Sequence, residues 1–401
     1  MSANRRFIPL HRPDLGDAEC EAAARVIRSG WVAQGPEVEA FEREFAAFVG
    51  TPHAAAVANG TVALELALRA LGIGAGDDIV TVSHSFIATA NAVRAVGARP
   101  SFVDVEPQTL NLDPAKIEAA VTPETRAILT VHQVGMPCDL AGVLAVARRR
   151  NLLLIEDAAC AAGSEIAIDG QWQRIGRPHG DAACFSFHGR KPITTGEGGM
   201  ITCHDAAVDR AVRSLRNLGM TIAAYGRHTA ATVVFEEYAQ PGFNHRLSDI
   251  AAAVGREQLR KLPELLTRRR ALAARYHAHL KTSGIATPFS EPAWARSNWQ
   301  SYPVRLADHL HQREVMQRML DDGIATRRGV MCAHLEPAWP KADWTCPVRR
   351  SEDCDCAGQH CNALTNSEQG RDRYILLPLY AALTDDEQDR VVAALHRACG
   401  A

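Results

Sequence analysis

The chain predicts an α/β protein, with a large domain on a mostly parallel sheet over residues 1–250 and a smaller α+β domain over 251–401. Three observations predict it. Up to residue 205, short apolar and β-branched runs alternate with helical stretches, which is the pattern of βαβ units. After Gly242 the composition shifts into one long amphipathic helical stretch. With 401 residues, 47% of them hydrophobic, the chain is long enough to give each part its own core.

The strands of the large domain are expected at 78–82, 100–105, 126–131, 152–156, 182–187 and 199–203. A helix starting near Ile87 carries Ala88, Ala92 and Ala95 at helical spacing, a small face for close packing on the sheet. The long helix spans 248–280, with Ser248 or Asp249 capping its start and Pro263 expected to kink or break it. In the smaller domain, strands at 302–306 and 324–328 are covered by helices at 312–320 and 385–398. The stretch 340–373, rich in Cys, Asp, Arg and Asn, reads as a long loop or insertion.

A net charge of −2, mixed along the chain, gives no field for nucleic acid or an anionic membrane. The runs Arg148–Arg150 and Arg268–Arg270 read as solvated helix faces. The N-terminus has no signal-like apolar stretch, and no run approaches a membrane span. Eleven cysteines, an odd number spread over the chain, fit reduced thiols in a cytosol better than a disulfide framework, so a cytoplasmic placement is expected.

The most informative residue is Lys191, in the segment Ser186-Phe-His-Gly-Arg-Lys191-Pro-Ile-Thr-Thr-Gly-Glu197-Gly-Gly199. An apolar run precedes it and glycines that allow close backbone approach follow it. An apolar, partly desolvated setting lowers an amine's pKa toward the nucleophilic free base, which suits a Schiff-base lysine. Ser186, five residues upstream, is placed as a phosphate donor. The segment resembles the Schiff-base motif of the DegT/DnrJ/EryC1/StrS family, the pyridoxal-phosphate (PLP) sugar aminotransferases.

PLP needs a lysine for its aldehyde, an acid for its pyridine nitrogen, a flat partner for its ring and donors for its phosphate. The apolar run Leu152–Ile155 ends in Glu156 and Asp157, and ligands of open α/β sheets gather at carboxyl ends of strands, which makes Asp157 the acid. Alone, Asp157 reads equally well as a cap of the next helix. Gly60 and Thr61 open a helix whose first N–H groups suit a phosphate, although most Gly-Thr pairs are simply caps. Phe86, between a strand and a helix, is positioned to stack on the ring, where an isolated aromatic would more often be core.

The resemblance runs from about residue 8 to 394 and implies the aspartate aminotransferase-like fold, fold type I. It matches Gly60, Thr61, Phe86, Asp157, Ser186 and Lys191 to the cofactor site. Gly242-Phe-Asn244-His-Arg246 is similar to a family segment whose Asn reaches the phosphate of the neighbouring subunit's cofactor, which implies a homodimer with shared active sites. It also implies transamination in two stages, from an amino acid, by resemblance glutamate, to a keto-sugar carried on a nucleoside diphosphate. Lys191 then serves as acid and base in both halves. Arg246, Arg327 and Arg328 are the candidate phosphate contacts, and His334 a candidate for the sugar pocket. A keto-cyclitol or other small ketone as acceptor, or a PLP-binding regulator, are the alternatives.

Three features depart from the family pattern. Cys160 stands where many members carry Gln or His, and the 323–334 loop differs from the usual substrate loop. The cluster Cys346, Cys354, Cys356, His360 and Cys361 holds zinc-type ligands without paired Cys-x-x-Cys units, so no metal is expected.

Overall fold

The structure is a computed structural model that describes residues 7–222, 224–228, 230–281, 284–347 and 360–400. In chain order its strands are β1 (His53–Val57), β2 (Asp78–Val82), β3 (Arg99–Val103), β4 (Thr125–Val131), β5 (Leu153–Asp157), β6 (Glu165–Ile168), β7 (Gln171–Arg174), β8 (Ala182–Ser186), β9 (Gly199–Cys203), β10 (Ala286–Pro288), β11 (Ala295–Arg296), β12 (Tyr302–Leu306), β13 (Arg327–Arg328) and β14 (Tyr374–Leu377). The central sheet has the order β1-β9-β8-β5-β4-β2-β3, with only β9 running against the rest. The expected α/β class and mostly parallel sheet are therefore present. Strands expected at 78–82 and 199–203 coincide with β2 and β9, and the other four lie within two residues of theirs. Sequence reading missed β1, because Ala54, Ala55 and Ala56 have little strand propensity; the sheet selects them as small side chains buried on both faces.

The strands β2, β4, β5 and β8 are buried on both faces along most of their length, as parallel strands flanked by helices should be. The helix Ala88–Ala95 follows β2, but its buried face is Thr89, Ala90, Ala92 and Val93, and Ala95 is exposed. The face is thus rotated from the alanine stripe, because Thr89 turns inward to a polar partner described below.

Ser248 caps the long helix Asp249–Leu280 by accepting from the Ala251 N–H at 3.2 Å. Asp249 serves a different helix: its carboxylate accepts the N–H groups of Gly35, Glu37 and Val38 at the start of Pro36–Val49. The long helix runs through Pro263 without the expected break, since packing of Leu259, Leu262, Leu265 and Leu266 into the core outweighs the one missing hydrogen bond. Arg269, expected on a solvated face, is buried and donates to the carbonyls of Trp299, Gln300 and Leu379, fastening this helix to the segments beside it.

The second sheet has the order β10-β12-β14-β13; the helix Gln312–Asp321 packs on β13 and β14, and Asp385–Ala398 packs on that helix and on the long helix. The strand expected at 324–328 is reduced to β13, with Ile324 bridged instead to Ile8. In the stretch expected to be loop, the helix Thr365–Arg373 appears. Its sequence has no apolar stripe, and it is anchored by Ser367, whose N–H and hydroxyl both reach Asp104. Residues 348–359, with Cys354 and Cys356, lie outside the described residues. Among the described residues no group of metal-ligating side chains is arranged to hold an ion, and no helix is long and apolar enough to cross a membrane.

Candidate active site

The parallel strands β1, β2, β4, β5 and β8 all point their carboxyl ends at one cavity of about 660 Å³. The segments leaving them line it with Gly60 and Thr61, Ser85 and Phe86, His132, Asp157 and Cys160, and Ser186 and Lys191. The opposite wall comes from Gln300 and Ser301, from Arg327 and Arg328 of β13, and from Leu376 of β14. Six predicted cofactor-site residues, distant in sequence, thus meet in one place.

Asp157 ends β5 and is buried. Thr89 Oγ1 donates to its Oδ2 at 2.7 Å and the Ala159 N–H to its Oδ1 at 3.1 Å. Ser85 Oγ in turn lies 2.7 Å from Thr89 Oγ1. Burial raises the pKa of Asp157, and these donors with the nearby Lys191 charge only partly offset it. Each oxygen keeps acceptor capacity, so a cationic N–H in the cavity would be well matched to this carboxylate.

Glu156, its neighbour, points to the other side of the strand. Its carboxylate faces His132 Nε2 at 3.1 Å and accepts the His179 N–H at 3.0 Å. His132 Nδ1 accepts from the Cys138 N–H, which leaves the ring proton on Nε2 facing Glu156. Burial opposes ionisation of Glu156, but the hydrogen bonds from His132 and His179 hold its carboxyl below the usual range.

Lys191 sits in a turn after β8, held by its N–H to the His188 carbonyl at 2.8 Å. Its Nζ donates to Cys160 Sγ at 3.0 Å. Cys160 is itself fixed, since Asn298 Nδ2 donates to the Cys160 and Ala162 carbonyls at 2.8 and 2.9 Å. The chain has five lysines, and among the described residues Lys191 is the one that lines this cavity.

The helix Gly60–Ala70 points its N-terminus at the cavity, capped by Asn59 Oδ1 accepting from the Val62 N–H at 3.0 Å. The N–H groups of Gly60 and Thr61 precede the first intrahelical donor, the Ala63 N–H bonded to the Asn59 carbonyl, and so are open to an anion. A Cβ on Gly60 would lie 2.7 Å from Ser186 Cβ, so glycine is required for Ser186 to close the same cradle. Phe86 stands at the cavity edge and is 58% exposed, the exposure of a ring awaiting a partner face rather than of a core residue.

Three predicted residues lie elsewhere. His334 is buried beside the cavity, with Nδ1 2.6 Å from Ser83 Oγ and Nε2 3.1 Å from Glu368 Oε1, so both ring nitrogens are committed and the sugar-pocket expectation is corrected. Arg246 donates to Asn217 Oδ1 at 2.8 Å, away from this chain's cavity, and Asn244 is exposed next to it. Sequence reading missed Thr89, Asn298, Gln300 and Ser301. Thr89 had a faint signal, one helical turn after Ser85; the other three arrive from the link into β12 through the αL turn at Trp299, which no local pattern announces.

Residues 13–396 match the model of the DegT/DnrJ/EryC1/StrS aminotransferase family. The chain belongs to that family. It is 36% identical over 400 residues to the spore coat polysaccharide biosynthesis protein SpsC of Bacillus subtilis (strain 168), covering 98% of each chain. Among solved structures it is similar to the aminotransferase TlmJ of Streptoalloteichus hindustanus (31% identity, TM-score 0.86, covering 98% of this chain and 99% of that one). It is equally similar to S. venezuelae DesV (31% identity, TM-score 0.84, 99% of both chains). The protein is a PLP-dependent sugar aminotransferase of fold type I. The cavity fits the cofactor on its own terms: a lone lysine, a buried acid, an open helix N-terminus and a cradle that a Cβ on residue 60 would fill.

Proposed function

We propose that the enzyme transfers an amino group from glutamate to a keto-sugar borne on a nucleoside diphosphate. The observation that carries this reading is the pairing, across one cavity, of Lys191 and Asp157 on the sheet side with Arg327 and Arg328 on the other. Bound PLP supplies the electron sink that makes a Cα proton acidic. In this reading Lys191 Nζ would hold the cofactor's aldehyde until the donor's amine displaces it, and the freed amine would then take the proton from the donor's Cα and, in the second half, deliver a proton to the sugar carbon. Cys160 Sγ gives the released lysine a hydrogen-bond acceptor that holds it in reach.

Asp157 stays ionised opposite the ring nitrogen, kept in place by Thr89. Gly60, Thr61 and Ser186 hold the phosphate, Phe86 covers the ring, and Asn244 of the partner subunit completes the phosphate site in a homodimer. Arg327 and Arg328 bind the diphosphate of the acceptor, with Arg328 already oriented by Glu336 at 3.0 Å. A division near residue 250 separates the part that holds the cofactor from the part that supplies these arginines.

The test is turnover of the holoenzyme with glutamate and a panel of keto-sugars, each with and without a nucleoside diphosphate, and keto-cyclitols. The reading expects kcat/KM at least about 10²-fold higher for a nucleotide-linked sugar, the contribution of one or two charge-assisted phosphate contacts. Equal turnover of the free ketones contradicts it.

A further inference from the structure

Lys191 is placed from two sides, by the turn that ends in it and by Cys160 Sγ, which its Nζ reaches at 3.0 Å. One short segment, 298–301, holds both. Asn298 Nδ2 donates to the Cys160 carbonyl at 2.8 Å and to the Ala162 carbonyl at 2.9 Å. Two residues on, Gln300 Nε2 donates at 3.1 Å to the carbonyl of Arg190, the residue before Lys191. Two side-chain amides thus grip the two supports of one lysine, from a stretch that lies 110 residues further along the chain.

The gripping segment is itself fixed. Asn298 and Gln300 are both buried. Asn298 Oδ1 accepts the Gln300 N–H at 2.9 Å, which folds the chain back between them and puts Trp299 at φ 51°, a left-handed conformation that an aromatic residue seldom adopts. Ser297 Oγ accepts the Trp299 N–H at 2.9 Å, and Arg269 of the long helix donates to the Trp299 and Gln300 carbonyls at 3.1 and 2.9 Å. Ser301 Oγ donates to Gln300 Oε1 at 2.9 Å, so the amide nitrogen is the end that faces Arg190. A Cβ on Gly135 would collide with Asn298 Oδ1, so glycine is required there for the amide to stand where it does. A residue that only filled the cavity wall would need none of these bonds.

We propose that Asn298 and Gln300 are positioning residues for Lys191, a clamp that sets where its Nζ stands when it moves a proton. Both amides act on backbone carbonyls, so the clamp needs no contact with donor or acceptor. Misplacing a proton-transfer group by about 1 Å lowers the rate far more than the affinity. A direct substrate contact at Gln300, which also lines the cavity, would instead be read in KM. The inference rests on the reading of Lys191 as the acid and base of the reaction, and adds that a segment following the long helix sets its geometry.

Two variants test the clamp. Gln300→Leu removes the donor at similar size, and Gln300→Glu keeps the shape but has no N–H to give once ionised. Asn298 stays in both, so the Cys160 side remains anchored. Melting temperature and the absorbance of the lysine-linked cofactor report that each variant folds and loads. In the cofactor-free protein, hydrogen exchange read by mass spectrometry should be about 10-fold faster in Gln300→Leu for the peptide spanning 188–191, and unchanged for the peptide containing β2. In the holoenzyme, stopped-flow mixing with glutamate should show the maximal rate of that half-reaction down about 10-fold, with the half-saturating glutamate concentration within about 2-fold. The loss in Gln300→Glu should deepen as the pH rises through ionisation of the new carboxyl, whereas Gln300→Leu should follow the wild-type pH profile at a constant offset. Unchanged exchange at 188–191 overturns the proposal, as does a maximal rate within about 2-fold of wild type. A weakened glutamate affinity at full rate also overturns it, because Gln300 is then a substrate contact. If the wild type reacts with another amino acid and not with glutamate, the donor reading has failed, and hydrogen exchange still decides the clamp.

Discussion

Asp157 and Arg327 line opposite walls of one cavity and are held in opposite ways. Asp157 ends a buried central strand, and Thr89 and the Ala159 N–H fix both of its oxygens before any ligand arrives. Arg327 lies on a two-residue edge strand, half exposed, with no carboxylate to neutralise it among the described residues. The difference follows the work each wall does. The sheet side must present one fixed geometry to the same cofactor in every cycle, so it is pre-organised. The arginine side meets a substrate that enters and leaves, and its unneutralised charge is what a phosphate would satisfy.

Breaking the sheet side should cost most. Asp157→Asn keeps the shape but removes the charge opposite the ring nitrogen, and kcat for the glutamate half-reaction should fall about 10²–10³-fold, measured by stopped-flow absorbance. A loss under about 3-fold would mean that the buried acid is only structural. Gly60→Ala comes next: its Cβ would press on Ser186 Cβ at 2.7 Å, an overpacking strain of about 1–3 kcal/mol in the phosphate cradle. Cofactor affinity, followed by dialysis and fluorescence, should drop about 10-fold or more, with acceptor KM changing far less. Arg327→Ala inverts that pattern, raising acceptor KM about 10-fold while leaving glutamate KM and cofactor affinity near wild type. Equal effects of both substitutions on both quantities would erase the distinction between the walls.

The smallest effect concerns the seam between the two. His84 follows β2, is bridged to Cys332 and packs against Gly370. Burial lowers its pKa from 6.5 to about 4, with the backbone at Leu110 and the charge of Asp104 opposing. The unfolded chain therefore takes up the proton first, so stability is full above pH 6.5 and is lost as the pH falls toward 4. Between pH 7 and 5.5 this group should remove about 1 kcal/mol. Urea denaturation of His84→Phe should show a shallower decline over that window; an identical slope would place the acid sensitivity elsewhere.

The same contrast decides what the sequence disclosed. The sheet side was legible because each functional residue follows a strand whose apolar run is visible locally: Asp157 after Leu153–Ile155, Phe86 after Asp78–Val82, Lys191 after Ala182–Ser186. β1 escaped because three alanines carry no strand signal, and Thr89 because its inward turn depends on Asp157, far away in sequence. The second wall is assembled from links and short edges. β13 has two residues, the Thr365–Arg373 helix is polar on all sides, and His334 looked available until Ser83 and Glu368 were seen to hold it. Long-range polar contacts fix these segments, and such contacts leave no periodicity to read.

The central claim is that Lys191 carries the cofactor. With five lysines in the chain, reduction of the holoenzyme with borohydride followed by peptide mapping gives a clear answer. The stable pyridoxyl label should fall on the peptide containing Lys191 and disappear in Lys191→Ala. Label on Lys116, Lys261, Lys281 or Lys341 in the wild type would contradict the account.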